Sequence, residues 1–265
     1  MRQRVVVHYK TLLTATTPHK ALTKKLKTRS GRNNRGVITT RHQGSGVKKV
    51  YREIDFMQNK LGVVGRVETI EYDPYRSAFI SLVSYKDGDR RYVITPQNLK
   101  VGDEIVTNEQ AELKPGNRLM LKNIPIGYFV HNVELRPGSG GKIARSAGSF
   151  VEILGSSSGL TDLKLGSKEV RRVHERCWAS VGRLSGEEHR FVVLGKAGRS
   201  RWMGIRPTVR GSAMNPVDHP YGGGEGRAMR GTRRPKNLWG KGTRGVKTRR
   251  SKKYSNGLIV ERRKK

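Results

Sequence analysis

From about residue 65 to residue 185, apolar and polar side chains exchange places every one or two positions, in short runs that turn residues interrupt. That period puts successive side chains on opposite faces of an extended chain and predicts β-strands. Arg66-Val67-Glu68-Thr69-Ile70-Glu71-Tyr72 is one such run, halted by Asp73-Pro74. Ala78 to Tyr85 and Arg90 to Ile94 flank Lys86-Asp87-Gly88-Asp89, and an Asp-Gly pair between two such runs is the strongest short-range hairpin signal. Further runs lie at Glu104 to Thr107, Phe129 to Leu135, Phe150 to Leu154, Thr161 to Leu165, Glu169 to His174 and Trp178 to Leu184. No window sustains a helical period over three turns. Turn chemistry gathers at Lys114-Pro115-Gly116-Asn117 and Asn123-Ile124-Pro125-Ile126-Gly127, which predicts a domain boundary near 122–125. The expected architecture is all-β: two small barrels, over 53–122 and 123–196, such as the open barrels that bind oligonucleotides.

Charge changes the picture at both ends. The 265 residues include 55 Lys and Arg against 21 Asp and Glu, a formal net charge of +34. Residues 1–52 carry 14 basic side chains and no acid, 53–194 carry 20 against 18, and 195–265 carry 21 against Asp218, Glu225 and Glu261. A nearly neutral body thus stands between two basic extensions, 1–52 and 197–265, which repel themselves and have little apolar matter to bury. A polyanion is the expected partner, and most ordinary enzymes are excluded. The longest apolar runs fall well short of the ~18 residues a membrane span requires, so no membrane partner is expected. The start of the chain lacks the apolar core of a secretory signal, although an acid-free, Thr-rich start also suits an organelle transit peptide.

Candidate chemistry is sparse. Cys177, alone, reads as a buried thiol, and the histidines show no paired metal-ligand spacing, so no metal site is expected. Pro137-Gly138-Ser139-Gly140-Gly141-Lys142-Ile143 fails the G-x-x-x-x-G-K-[ST] phosphate loop at Arg136 and Ile143. It remains open whether its amides, with Lys142 and Arg145, approach an RNA phosphate or the segment is a plain flexible connection. Asn215 to Arg227 holds Asp218, His219 and Glu225, groups capable of proton transfer. It also holds Gly222, Gly223, Gly224 and Gly226, too yielding for the rigid pocket that chemistry needs, so backbone amides, His219 and Arg227 set between phosphates suit it better. Tyr72, Tyr85 and Tyr92 could stack on bases, though filling a barrel is the commoner task. Trp202 and Trp239, beside Arg201 and Lys241, suit packing on nucleic acid.

Four stretches carry a resemblance: Gly31-Arg32-Asn33-Asn34-Arg35-Gly36-Val37-Ile38-Thr39-Thr40-Arg41-His42, Glu71-Tyr72-Asp73-Pro74-Tyr75-Arg76-Ser77-Ala78, PGSGGKIARSAG at 137–148 and RPTVRGSAMNPVDHPYGGGEGR at 206–227. They resemble the universal large-subunit ribosomal protein two family, of the bacterial type, over nearly the whole chain from about residue 29. The resemblance implies an oligonucleotide-binding barrel, then an SH3-like barrel, and extensions that thread into the large ribosomal RNA. By it, Arg76 and Arg145 match arginines that contact ribosomal RNA. Arg32, Arg35, Arg41, His42, Arg206 and Arg210 lie in the matching stretches and are expected contacts too. His219 matches a histidine connected with peptidyl transfer, in an indirect role. The family commonly reads His-Pro-His where this chain has His219-Pro220-Tyr221, and Tyr221 is expected to stack on a base or pack against RNA.

The implied function is structural: binding the large ribosomal RNA, bracing the region around the peptidyl-transferase centre and supporting subunit association, with no catalysis by the protein. Implied partners are that RNA, neighbouring ribosomal proteins and the small subunit at the interface, without a small-molecule substrate. No cofactor is expected, though magnesium ions bound to the RNA would lie near. The setting is the large subunit in a bacterial cytoplasm, or an organelle ribosome. A chaperone or packing protein that binds nucleic acid without sequence preference is the alternative.

Overall fold

The computed structural model describes residues 9, 12–28, 30–226 and 231–263. The chain divides into two compact units, one from Met1–Lys27, Lys49–Val193 and Ser255–Lys265, the other from Thr28–Lys48 and Leu194–Tyr254.

The first unit is built from strands. β1 (Thr23–Lys24) and β2 (Tyr51–Arg52) form a short antiparallel ribbon. β3 (Gly65–Glu71), β4 (Ile80–Tyr85), β5 (Arg90–Ile94) and β6 (Glu104–Ile105) form an antiparallel sheet in the order β5-β4-β3-β6. Val67, Phe79, Val83, Tyr85, Val93 and Ile105 cluster in its core, while Ile80, Leu82 and Tyr92 form a second cluster with Leu22 and Ile54. Apolar burial on both sides explains why β4 is polar only at Ser81 and Ser84. The N-terminal segment is fixed to this sheet by a buried hydroxyl: Tyr92 Oη donates to Glu71 Oε2 at 2.9 Å and accepts the His19 N–H at 2.8 Å.

A second sheet contains β7 (Arg118–Met120), β8 (Phe129–His131), β11 (Val151–Ser157), β12 (Leu160–Lys164), β13 (Val170–His174), β14 (Trp178–Val181) and β15 (Ile259–Glu261). Their order is β15-β13-β12-β11-β8-β14-β7. Its core gathers Leu119, Val130, Val151, Ile153, Leu163, Val173, Cys177 and Val181. The chain is all-β, with an oligonucleotide-binding-type barrel followed by an SH3-like barrel.

Several details depart from the sequence pattern. The run at 129–135 is broken at Asn132, whose positive φ of 48° ends β8 and starts β9 (Val133–Glu134), paired with β10 (Gly141–Ile143); asparagine tolerates that conformation better than most residues. β7 lies before the boundary expected near 122–125, yet Leu119 pairs with Ala179 of β14, so the second sheet begins between the two turn clusters, directly after Asn117. The basic extensions also contribute structure. β15, near the chain's end, pairs with β13, and within the second unit Gly44 donates to the Gly204 carbonyl at 2.7 Å and Val47 to that of Trp202 at 2.9 Å. That unit also holds α1 (Ala197–Trp202), six residues long and too short to show a period. Among the described residues no helix is long and apolar enough to cross a membrane.

Candidate nucleic-acid interface

In the first unit the turn after β3 sets one arginine. Asp73, fully buried, accepts the Tyr75 N–H on Oδ1 at 2.8 Å and the Arg76 guanidinium on Oδ2. Arg76 Cζ then lies 5.6 Å from the Tyr51 ring centroid and 5.7 Å from that of Phe56, and Arg145 Cζ lies 4.3 Å from the Phe56 centroid. Cations over ring faces are held by the ring quadrupole while their outer N–H groups stay available. Arg76, Lys142 and Arg145 line one cavity of about 650 Å³ with Phe56 and Tyr75. Residues 69 positions apart in sequence thus share one basic hollow. Neither Phe56 nor Tyr51 stood out in sequence, because an aromatic serving as a platform for arginine carries no local pattern.

The glycine loop takes a form the sequence did not foretell. Its amides are already occupied: Gly138 donates to Glu134 Oε2 at 3.0 Å, Gly140 to Glu134 Oε1 at 3.2 Å, and Gly141 to the Phe56 carbonyl at 2.9 Å. Glu134, only 2% exposed, also accepts Arg118 Nη2 at 3.2 Å and the Trp178 N–H at 3.3 Å. A carboxylate from within the protein therefore fills the position an RNA phosphate would have taken on these amides. Gly141 itself must be glycine, since a Cβ there would meet Asn132 Oδ1 at 1.9 Å. What the loop offers outward is side-chain charge, at Lys142 and Arg145.

In the second unit, Asn33 Oδ1 accepts the N–H groups of Arg35 and Val37, each at 3.0 Å, closing a tight turn that leaves Arg35 exposed. Arg32, Arg41, His42 and Arg206 line a cavity of about 370 Å³. Gln43 bridges Ile205, and Thr208 Oγ1 lies 3.2 Å from His42 Nδ1, which ties the two stretches together. Arg201 and Trp202 end α1, with Lys196 Nζ 4.8 Å from the Trp202 ring centroid, and Arg210 precedes the 3-10 turn Gly211–Ala213.

The 211–226 segment is internally bonded. His219 Nδ1 accepts the Tyr221 N–H at 3.0 Å, and the two rings lie 4.8 Å apart. Tyr221 Oη accepts the Lys236 N–H. Gly222 packs against the Asn215 carbonyl, which a Cβ would approach to 2.2 Å, and Gly223 and Gly224 take φ of 79° and 85°. These glycines build the loop's own turns. Arg227 lies outside the described residues.

Residues 19–107 match the family Ribosomal Proteins L2, RNA binding N-terminal domain, and residues 114–240 match Ribosomal Proteins L2, C-terminal domain. The chain belongs to the ribosomal protein L2 family. As an L2 protein it is a structural component of the large ribosomal subunit and binds ribosomal RNA. The L2 body keeps several eye-catching side chains for its own packing. Tyr85 and Tyr92 are buried, and burial raises both phenols, Tyr85 to about 12. Burial pushes the Cys177 thiol up to about 12, and His131, which donates from Nδ1 to the Gly182 carbonyl at 2.9 Å, is pulled down to about 4 by desolvation. Among the described residues of this L2 chain no group of three or more His, Cys, Asp or Glu is arranged to hold a metal ion.

Proposed function

We propose that this L2 protein braces the ribosomal RNA around the peptidyl-transferase centre and supports subunit association without performing chemistry itself. The contacts are Arg76, Lys142 and Arg145 in the first unit, and in the second Arg32, Arg35, Arg41, His42, Arg201, Trp202, Arg206, Arg210, His219, Tyr221, Gly222, Gly223 and Gly224, with Arg227. The barrels expected at 53–122 and 123–196, with β7 counted in the second, are the RNA-binding body, and the extensions at 1–52 and 197–265, apart from the strands β1, β2 and β15, reach into the RNA. Partners are neighbouring ribosomal proteins and the small subunit, in a bacterial cytoplasm or an organelle. The observation that carries this is the meeting of Arg76, Lys142 and Arg145 on one cavity. The non-catalytic role is supported by His219, whose Nδ1 is occupied by the Tyr221 amide instead of an orienting carboxylate.

The test is a salt titration of the full chain on a large-subunit ribosomal RNA transcript, with unrelated RNA of equal length as competitor. Replacing Arg145 or Arg206 by Ala weakens binding and makes the log–log salt slope shallower by about 0.7 to 0.9 per lost phosphate contact. Unchanged slopes and affinities would remove both residues from the interface, and equal affinity for unrelated RNA would favour the packing protein.

A further inference from the structure

We propose that the hairpin at residues 235–243 is a base-stacking site, in which Trp239 lies against an unpaired nucleobase of the large-subunit RNA. This rests on the reading that the chain binds that RNA, and it adds a contact distinct from the arginine sites. The observation is a large aromatic side chain held out in solvent by a tightly bonded turn. Trp239 is 75% exposed. A lone exposed apolar residue is ordinary, but this one sits on a built support. Asn237 Oδ1 accepts the N–H groups of Trp239 and Lys241 at 3.0 and 2.9 Å, the Asn237 N–H donates to the Lys241 carbonyl at 2.8 Å, and Gly240 donates back to the Asn237 carbonyl at 3.0 Å. Lys236 and Gly242 form an antiparallel bridge, and Thr243 closes onto the Pro235 carbonyl through its N–H at 2.9 Å. Gly240, at φ 71°, turns the chain directly after the indole.

The base of the hairpin is anchored as well. The Lys236 N–H donates to Tyr221 Oη, tying the hairpin to the His219 loop. The Tyr221 hydroxyl thus ties the hairpin to the loop, in addition to the RNA contact proposed for this residue. The ligand follows from chemistry: the face of an indole accepts any base, and Lys236 and Lys241 on either side supply charge for the flanking phosphates. A duplex offers no free base face, so the partner is a looped-out or single-stranded nucleotide.

The experiment measures binding of the full chain to the same large-subunit transcript. Trp239→Ala and Trp239→Leu are each expected to weaken binding by between about fivefold and 150-fold, the range for losing one stacked base. The salt slope should not change, because no cation is removed. Trp239→Phe should recover most of the loss, and Asn237→Ala, which keeps the indole but removes its support, should weaken binding in the same direction. Wild-type affinity for Trp239→Ala would overturn the proposal, and so would equal binding by Trp239→Leu and wild type, since an apolar contact would then suffice. If the wild-type chain itself fails to bind the transcript, the functional reading falls first and the stacking site with it.

Discussion

Glu134→Gln tests the link between the buried body and the glycine loop. Glu134 and Arg118 are 2% and 1% exposed and lie 3.2 Å apart, so each charge depends on the other instead of on water. Desolvation pulls the Arg118 guanidinium down and Glu134 opposes it. Removing one member of such a pair characteristically costs about 3–5 kcal/mol, because the remaining charge stays buried. Geometry adds to this. Each carboxylate oxygen accepts two donors, Oε1 from Arg118 and Gly140 and Oε2 from Gly138 and Trp178. Glutamine keeps one oxygen and turns an NH2 toward the other pair of donors, so two N–H groups lose their acceptor, at about 1–3 kcal/mol each where water cannot enter. These costs overlap, because the buried charge is counted among them, and the expected total is about 3–5 kcal/mol.

The assay is equilibrium urea unfolding of the full chain, followed by far-ultraviolet circular dichroism. Against a usual domain stability of roughly 5–15 kcal/mol, such a loss moves the midpoint far down the urea axis. Arg118→Met in the same chain should recover part of the loss by removing the stranded cation, while the amide donors that face the glutamine NH2 stay unsatisfied. A loss below about 1 kcal/mol for Glu134→Gln would refute the reasoning, since it would mean that water reaches the pair.

Two further outcomes follow from buried titratable groups. His131 titrates at about 4 when folded against 6.5 when free, so the unfolded chain binds the extra proton first. Stability is therefore present above pH 6.5 and lost as pH falls toward 4, by about 3 kcal/mol in all; urea titrations between pH 7 and 5 should show the onset, and His131→Asn should flatten it. Cys177, buried and raised to about 12, should resist a thiol reagent at pH 8 in the native chain and react promptly once urea unfolds it; prompt native labelling would contradict its burial.

Legibility in the sequence followed the range of each interaction. The Asp-Gly hairpin between β4 and β5 and the strands from β11 to β14 were readable because alternation and turn residues are local signals. The placing of β7 in the second sheet and the addition of β15 depend on partners dozens of residues away, which no window contains. Of the arginines of the 650 Å³ cavity, Arg145 was an open candidate beside the glycine loop and Arg76 was legible only through resemblance, and their aromatic supports at Tyr51 and Phe56 were not legible at all. The glycine loop stayed ambiguous for a similar reason. Its composition fitted either amides approaching a phosphate or a plain connection, and the acceptor that fills Gly138 and Gly140 is a single glutamate just upstream, indistinguishable in sequence from any surface acid.

That occupied loop bears on how this L2 chain recognises RNA. Backbone amides bind a phosphate only at one fixed geometry, whereas Lys and Arg side chains adjust their reach. With Gly138 and Gly140 committed to Glu134, the proposed recognition beside β10 rests on the side chains of Lys142 and Arg145, and on that reading its affinity should follow ionic strength closely. The body's acids meet many of its own bases: Asp55 and Asp89 hold Arg91, Glu152 holds Lys164 and Asp162 holds Arg172. The extension from residue 195 has three acids for 21 bases and cannot do the same. On the proposed reading its charge is neutralised by phosphate, and the extensions are expected to contribute most of the salt-dependent affinity while the body contributes the folded frame. Replacing Arg244, Lys247, Arg249 and Arg250 by Ala in the full chain, which leaves β15 in place, should therefore remove more salt slope than any single substitution within the barrels.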